Sequence, residues 1–73
     1  MFDYLNSSTT HWYTLAATGI KFKDKEFTSR QVAEEAMYKF IDKNHLKVNK
    51  IYDDKHYKTY ICENGIRFYI NRI

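Results

Sequence analysis

The side chains best suited to chemistry are few in this sequence, and they are scattered along the chain. Three histidines, His11, His45 and His56, and a single cysteine, Cys62, are the candidates for metal binding or nucleophilic catalysis. None of them stands at the C-x-x-C or H-x-x-x-H spacing that brings metal ligands together. A lone cysteine on a predicted strand is more often an inert, half-buried residue than a nucleophile. The sequence therefore predicts no metal site and no catalytic thiol.

The carboxylates do not form a general acid/base pair either. Glu34 and Glu35 are neighbours on a predicted helix, where successive side chains point roughly 100° apart. Asp53-Asp54 has the composition of a turn. The chain has only two glycines, which is too few for a glycine-rich phosphate loop. These observations predict a non-catalytic protein without a cofactor.

The residues with the clearest functional promise are tyrosines and basic residues near a predicted hairpin. Asn64-Gly65 is a strong signal for a type I′ turn, because both of its central residues need positive φ angles. A two-residue loop would place Tyr60 opposite Tyr69, on the face away from the core. The candidate binding residues of that open face are Lys47, Lys58, Tyr60, Arg67 and Tyr69, with Lys21 and Lys23 nearby.

Such a face is compatible with three interpretations. Tyrosine rings can stack on bases while cations meet phosphates, as in nucleic-acid-binding sheets. Tyrosine and arginine also dominate the energetics of protein interfaces. Tyrosine pairs equally stabilise strands without any function, and lysines keep a surface soluble.

A helix with a clear apolar stripe is the best-marked element that would position this face. Thr28 and Gln31 have capping-box spacing, with Phe27 and Val32 at the hydrophobic-staple positions. Asn44 is the expected stop. The stripe recurs at three and four residues and comprises Val32, Ala33, Ala36, Met37, Phe40 and Ile41.

Strand patterns surround the helix. Residues 11–17 and 20–23 predict an N-terminal strand or hairpin, and residues 46–52, 57–63 and 66–72 predict a three-stranded antiparallel meander. The fold class is therefore α+β, with the amphipathic helix packed on one sheet face. Residues 1–10 are expected to be a flexible N-terminal arm, and residues 11–73 a single domain. The expected core comprises Ile20, Phe22, Phe27, Val32, Ala36, Met37, Phe40, Ile41, Val48, Ile61, Phe68 and Ile70, with Trp12 at its edge.

Length and charge limit the classes of protein that this sequence can represent. A chain of 73 residues has room for one domain of modest stability. The net charge of +3 arises in residues 46–73, where six Lys/Arg stand against three Asp/Glu. No apolar run approaches a membrane span, and the first residues lack the pattern of a secretory signal. We expect a cytoplasmic protein with no membrane partner.

Composition and size resemble those of the small early proteins of AT-rich tailed phages of the T-even type. The chain has seven Tyr and five Phe but only two Gly and no Pro, a bias toward AT-rich codons. The resemblance covers no motif. It implies an inhibitor or modulator of a host defence or nucleic-acid-processing protein, acting in the host cytoplasm.

The sequence thus predicts a small binding protein whose partner is a host protein. Direct nucleic-acid binding through the open face is the alternative, and a structural homodimer that buries the face is the third.

Overall fold

The computed structural model describes residues 12–54 and 56–73, and the predicted N-terminal arm lies outside them. This part of the chain contains one helix and one antiparallel sheet of five strands. In chain order the elements are β1 (Tyr13–Thr18), β2 (Lys25–Phe27), α1 (Arg30–Lys43), β3 (Val48–Asp53), β4 (Tyr57–Cys62) and β5 (Arg67–Arg72). The α+β class predicted from the sequence is confirmed.

The sheet is larger than the predicted three-stranded meander. Its order is β2-β1-β5-β4-β3, so the N-terminal hairpin joins the meander through β1 and β5. The predicted strand at residues 20–23 is wrong, because the second strand of the hairpin is Lys25–Phe27. Ile20 and Phe22 nevertheless pack half-buried against the core, as their alternation predicted.

The turn between β4 and β5 has the predicted geometry but not the predicted register. Asn64 and Gly65 have φ angles of 63° and 74°, and the Ile66 amide donates to the Glu63 carbonyl, as in a type I′ turn. The Cys62 amide donates to the Ile66 carbonyl, at 2.7 Å. In a regular two-residue hairpin the Glu63 amide would make that bond, but here it donates to the Lys47 carbonyl. Cys62 and Glu63 thus share one partner across the ladder, which is a β-bulge.

This bulge shifts the pairing by one residue along the rest of β4. Tyr60 lies opposite Phe68 and Thr59 opposite Tyr69, whereas the predicted partner of Tyr60 was Tyr69. Since side chains alternate between faces, a shift of one residue exchanges the two faces of β4. The predicted register and the predicted placement of Lys58 and Tyr60 on the open face are therefore wrong.

The helix begins one residue later than the capping-box pattern indicated. Ser29 is the N-cap, and its hydroxyl accepts from the Val32 amide. The expected stop is confirmed, because Asn44 is the C-cap and its side chain donates to the Phe40 carbonyl. The left-handed residue is His45, with φ 56°, rather than Asn44.

One core cluster joins α1 to three strands. The helix contributes Ala33, Met37 and Ile41, and the sheet contributes Leu15, Tyr60, Cys62, Phe68 and Ile70, with Ile66 from the turn. Two predicted core residues lie outside this cluster. Val32 is 48% exposed, and Ile61 lies on the opposite face because the bulge shifts the register of β4. We call the side of the sheet that carries Leu15, Tyr60, Phe68 and Ile70 the core face.

Among the described residues, no helix is long and apolar enough to span a membrane.

Candidate functional site

The side of the sheet opposite the core face, which we call the open face, carries a cluster of tyrosines. Alternation along the strands assigns Lys50 and Tyr52 of β3, Tyr57, Thr59 and Ile61 of β4, and Arg67 and Tyr69 of β5 to this face. Of the predicted binding residues, Arg67 and Tyr69 are thus placed together, as expected. Ala16 stands opposite Tyr69 on β1, so the side chain next to Tyr69 on that strand is small.

The open face contains a shallow concavity of about 470 Å³, which we call the tyrosine cleft. Its walls are Tyr52, Tyr57, Thr59, Ile61, Arg67 and Tyr69, and Asp53 and Asp54 also border it. Tyr52 and Tyr57 are 50% and 47% exposed, so about half of each side chain is accessible in this concavity. The cleft follows β4 from Tyr57 to Ile61, a length of roughly 13 Å.

Charges at the two ends of the cleft differ in sign. Arg67 is exposed and stands opposite Ile61, and no carboxylate of the described residues forms an ion pair with it. At the other end, the hydrogen bond and charge of Asp54 raise the pKa of Tyr57. The cleft therefore has the Arg67 cation at one end and, at the other, the Asp54 carboxylate, which is already hydrogen-bonded to Tyr57.

Lys50 lies against the exposed Tyr52 ring on the same strand. Its Nζ is 4.9 Å from the ring centroid, within the range of a cation–π contact. Hydrogen bonding to Tyr52, with the associated charge interaction, raises the pKa of Lys50. This pair extends the cleft toward the free edge of β3.

The predicted residues Lys58 and Tyr60 belong instead to a polar cluster on the core face. Glu34 Oε2 accepts hydrogen bonds from the Tyr60 hydroxyl and, at 2.9 Å, from Lys58 Nζ. Burial and the bond to Glu34 raise the pKa of Tyr60 far above its ordinary value. Burial acts to raise the pKa of Glu34, but the bonds from Tyr60 and Lys58 and nearby positive charge lower it overall.

The second part of this cluster connects the start of α1 to the end of β3. Asp53 lies 3.8 Å from Lys58 Nζ and 3.7 Å from the Arg30 guanidinium. Arg30 also donates to the Asp54 carbonyl. Lys58 is thus occupied by carboxylates and does not contribute a free positive charge to any binding surface.

The remaining predicted site residues lie outside the strands. Lys47 is exposed immediately before β3, and Lys21 and Lys23 are exposed in the connection between β1 and β2. Their backbone positions do not bring them into the tyrosine cleft.

Sequence reasoning missed Lys50, Tyr52, Tyr57, Thr59 and Ile61 as residues of this face. The alternation of β4 fits either face, since Tyr57-Thr59-Ile61 and Lys58-Tyr60-Cys62 each combine polar and apolar side chains. The bulge at Cys62 decides between them, and it leaves no pattern in the sequence. Alternation from the predicted core residue Val48 would put Lys50 and Tyr52 on the core face, and the register shift between Val48 and Lys50 places them on the open face instead.

The other reactive side chains form no site within the described chain. Cys62 is buried, and burial raises the pKa of its thiol, which disfavours the reactive thiolate. Among residues 12–54 and 56–73, no three His, Cys, Asp or Glu side chains are grouped so as to hold a metal ion.

Comparison of the chain with protein-family models, with curated proteins and with solved structures finds no match.

Proposed function

We propose that this protein is a non-catalytic binding protein that holds a partner protein on its open face, with the tyrosine cleft at the centre of the contact. The observation that carries the proposal is the exposure of Tyr52 and Tyr57 in one concavity that Arg67 also lines. Tyrosine and arginine are the residues most enriched at the energetic centres of protein interfaces.

The arrangement of the helix supports this choice of face. We infer that α1 covers the core face, since Ala33, Met37 and Ile41 share one buried cluster with strand residues. A single helix can cover only one side of a sheet. The open face is then the side on which large apolar area remains for a partner.

The charges of the open face favour a protein over a nucleic acid. Among the residues that the structure describes, Lys50 and Arg67 are the basic side chains on the open face beside the cleft, and Asp54 borders the cleft at its other end. Phosphate-backbone binding uses several cations, each of which releases counterions. Lys58, which would have been the third cation, is held by Glu34 on the core face.

The resemblance of the composition to phage early proteins indicates the class of partner. On that basis the partner is a host protein, such as a defence or nucleic-acid-processing factor, and binding inhibits or redirects it. A surface with an acidic side chain opposite Arg67 would complement the cleft.

The proposal is tested by quantitative affinity capture from a host-type bacterial lysate. We expect a stoichiometric partner that the Tyr52→Ala/Arg67→Ala double variant loses. The matched control is Val32→Ala/Lys39→Ala, which removes one exposed apolar side chain and one cation from α1. Retention by the control with loss by the cleft variant supports the proposal, and equal capture by both variants contradicts it.

Binding to short DNA and RNA at about 50 and about 200 mM salt tests the alternative. We expect no binding by the wild type. Affinity that falls steeply with salt and is weakened by the Tyr52→Ala/Arg67→Ala variant would replace the protein partner with a nucleic acid.

A further inference from the structure

The edge of β3 leaves backbone hydrogen-bonding groups without a strand partner. β3 is the last strand of the sheet and pairs only with β4 among the described strands. The Asp54 amide donates to the Tyr57 carbonyl at 2.8 Å, which marks that pair as hydrogen-bonded. Hydrogen-bonded pairs alternate in an antiparallel ladder, so the backbone groups of Ile51 and Asp53 point away from β4.

The side chains of β3 are exposed on both faces. Ile51 is 46% exposed on the core face and Tyr52 is 50% exposed on the open face. The main contacts of α1 with the sheet are with β1, β2 and β5, so the helix leaves Ile51 uncovered. The other edge, β2, has only three residues and offers a much shorter template.

We propose that two copies of this chain pair through their β3 edges, antiparallel, about a two-fold axis at Ile51. In this register Ile51 and its counterpart exchange both backbone hydrogen bonds. The two Ile51 side chains meet on the core face. On the open face Lys50 of each copy stands opposite Tyr52 of the other, and the two-fold symmetry repeats each contact.

The side-chain chemistry of β3 is self-complementary in this register. Apolar Ile51 meets apolar Ile51, and each Lys50 ammonium meets a tyrosine ring, a contact already formed within the strand at 4.9 Å. A lysine on an edge strand ordinarily discourages pairing. In the two-fold register, Lys50 of each copy stands opposite the Tyr52 ring of the other copy, and not opposite another lysine.

The bulge at Asn49 limits the length of the pairing. The register of β3 against β4 shifts between Val48 and Lys50, which bends the strand there. The paired segment is therefore short and centres on residues 50–52. We expect a dimer that dissociates on dilution rather than an obligate one.

Pairing through the β3 edge does not depend on the partner proposed for the tyrosine cleft. It adds one feature to that cleft, because Lys50 of the second copy then lies beside Tyr52. Failure of either proposal is distinguishable from failure of the other, since dimerisation is measured on the purified chain alone.

The first test is the molar mass of the full chain by light scattering, from about 10 to about 500 µM, because mass action makes dimerisation concentration-dependent. We expect the mass to rise toward twice the 8.9 kDa of one chain. Ile51→Lys places like charges at the axis and should keep the mass at one chain throughout. Val32→Lys, at a site of 48% exposure on α1, should dimerise as the wild type does. A wild type that stays monomeric at every concentration, or a dimer that survives Ile51→Lys, overturns the proposal.

The second test does not depend on how well Ile51→Lys folds. Cα atoms of a hydrogen-bonded antiparallel pair lie about 5.5 Å apart, a separation that a disulfide can bridge. Ile51→Cys should therefore form a cross-linked dimer under mild oxidation, while Val32→Cys should not. No cross-link at Ile51→Cys, or equal cross-linking of both variants, would contradict the register.

Discussion

At the scale of single residues, the most informative group is the cluster of Glu34, Lys58 and Tyr60. The sequence predicted Tyr60 on an exposed aromatic face. In the structure Tyr60 is buried, and its hydroxyl donates to the Glu34 carboxylate. A hydrogen bond to a charged acceptor stabilises more than a neutral one, and its loss leaves a partly buried charge poorly solvated. The cluster joins α1 to β4 and so contributes to stability rather than to recognition.

Removal of the Tyr60 hydroxyl should therefore destabilise the protein. Tyr60→Phe keeps the ring packing but removes the donor to Glu34, at a cost of about 1.5–3 kcal/mol in the free energy of unfolding. Tyr69→Phe, on the open face, should change it by less than about 0.5 kcal/mol. Urea denaturation of both variants measures the difference, and equal values would contradict the assignment of Tyr60 to the core face.

Glu34 should make stability depend on pH in the acid range. Its pKa is lowered in the folded state relative to the ordinary value of 4.5. A lowered pKa means that the unfolded state binds more protons, so the stabilisation is present above pH 4.5 and is lost as the pH falls through the folded-state pKa. Glu34→Gln should therefore show a shallower decline of unfolding free energy on acidification than the wild type. Parallel curves would exclude Glu34 as a source of acid sensitivity.

At the scale of elements, the end of α1 has a residue in an unfavourable conformation. The Leu46 amide donates to Ile41 and the His45 amide to Asp42, a Schellman motif with His45 at the left-handed position. Glycine adopts that conformation without the steric penalty of a Cβ atom.

We therefore expect His45→Gly to stabilise the protein by about 1 kcal/mol. Asn44→Ala should have the opposite effect, because it removes the side-chain bond to the Phe40 carbonyl. Thermal unfolding at one fixed pH compares the two variants with the wild type. A loss of stability in His45→Gly would contradict the predicted relief of backbone strain.

The connection between β1 and β2 approaches the turn between β4 and β5 at Gly19. Both Gly19 and Gly65 have positive φ angles, but a Cβ at Gly19 would lie 2.9 Å from the Gly65 carbonyl oxygen, whereas one at Gly65 would meet nothing within 4 Å. Gly65→Ala should therefore cost only the backbone strain, about 1–2 kcal/mol, and Gly19→Ala should cost more. Chemical denaturation measures the free energy of unfolding of the two variants. A smaller loss in Gly19→Ala than in Gly65→Ala would contradict this close approach.

The elements also show how far the sequence predicts the fold. The Asn64-Gly65 turn, the apolar stripe of α1 and its stop at Asn44 were predicted, because each depends on local backbone or helical geometry. The register of β4 was not, because the bulge at Cys62 and Glu63 depends on how two strands and the end of β3 share hydrogen bonds. One extra residue in the ladder was enough to move Tyr60 from one face to the other.

At the scale of the whole molecule, the open face keeps the aromatic and basic character that the sequence predicted, but with different members. Arg67 and Tyr69 remain, while Tyr52, Tyr57 and Lys50 take the places assigned to Tyr60 and Lys58. The proposed class of partner is inferred from the composition of the chain and from the chemistry of this face. The β3 edge adds a second surface, on which two copies of the chain can meet.

Tyr52 and Tyr57 are accessible aromatic side chains of the open face, whereas Tyr60 is buried on the core face. Hydroxyl-radical footprinting with peptide mass spectrometry measures the oxidation rate of each tyrosine in the folded protein, with the urea-unfolded chain as the reference. The structure predicts rapid oxidation of Tyr52 and Tyr57, which are about half exposed, and strong protection of Tyr60, which has no exposed surface. Oxidation of Tyr60 at the rate of Tyr52 would contradict the bulge-shifted register and place Tyr60 on the open face, as in a regular hairpin.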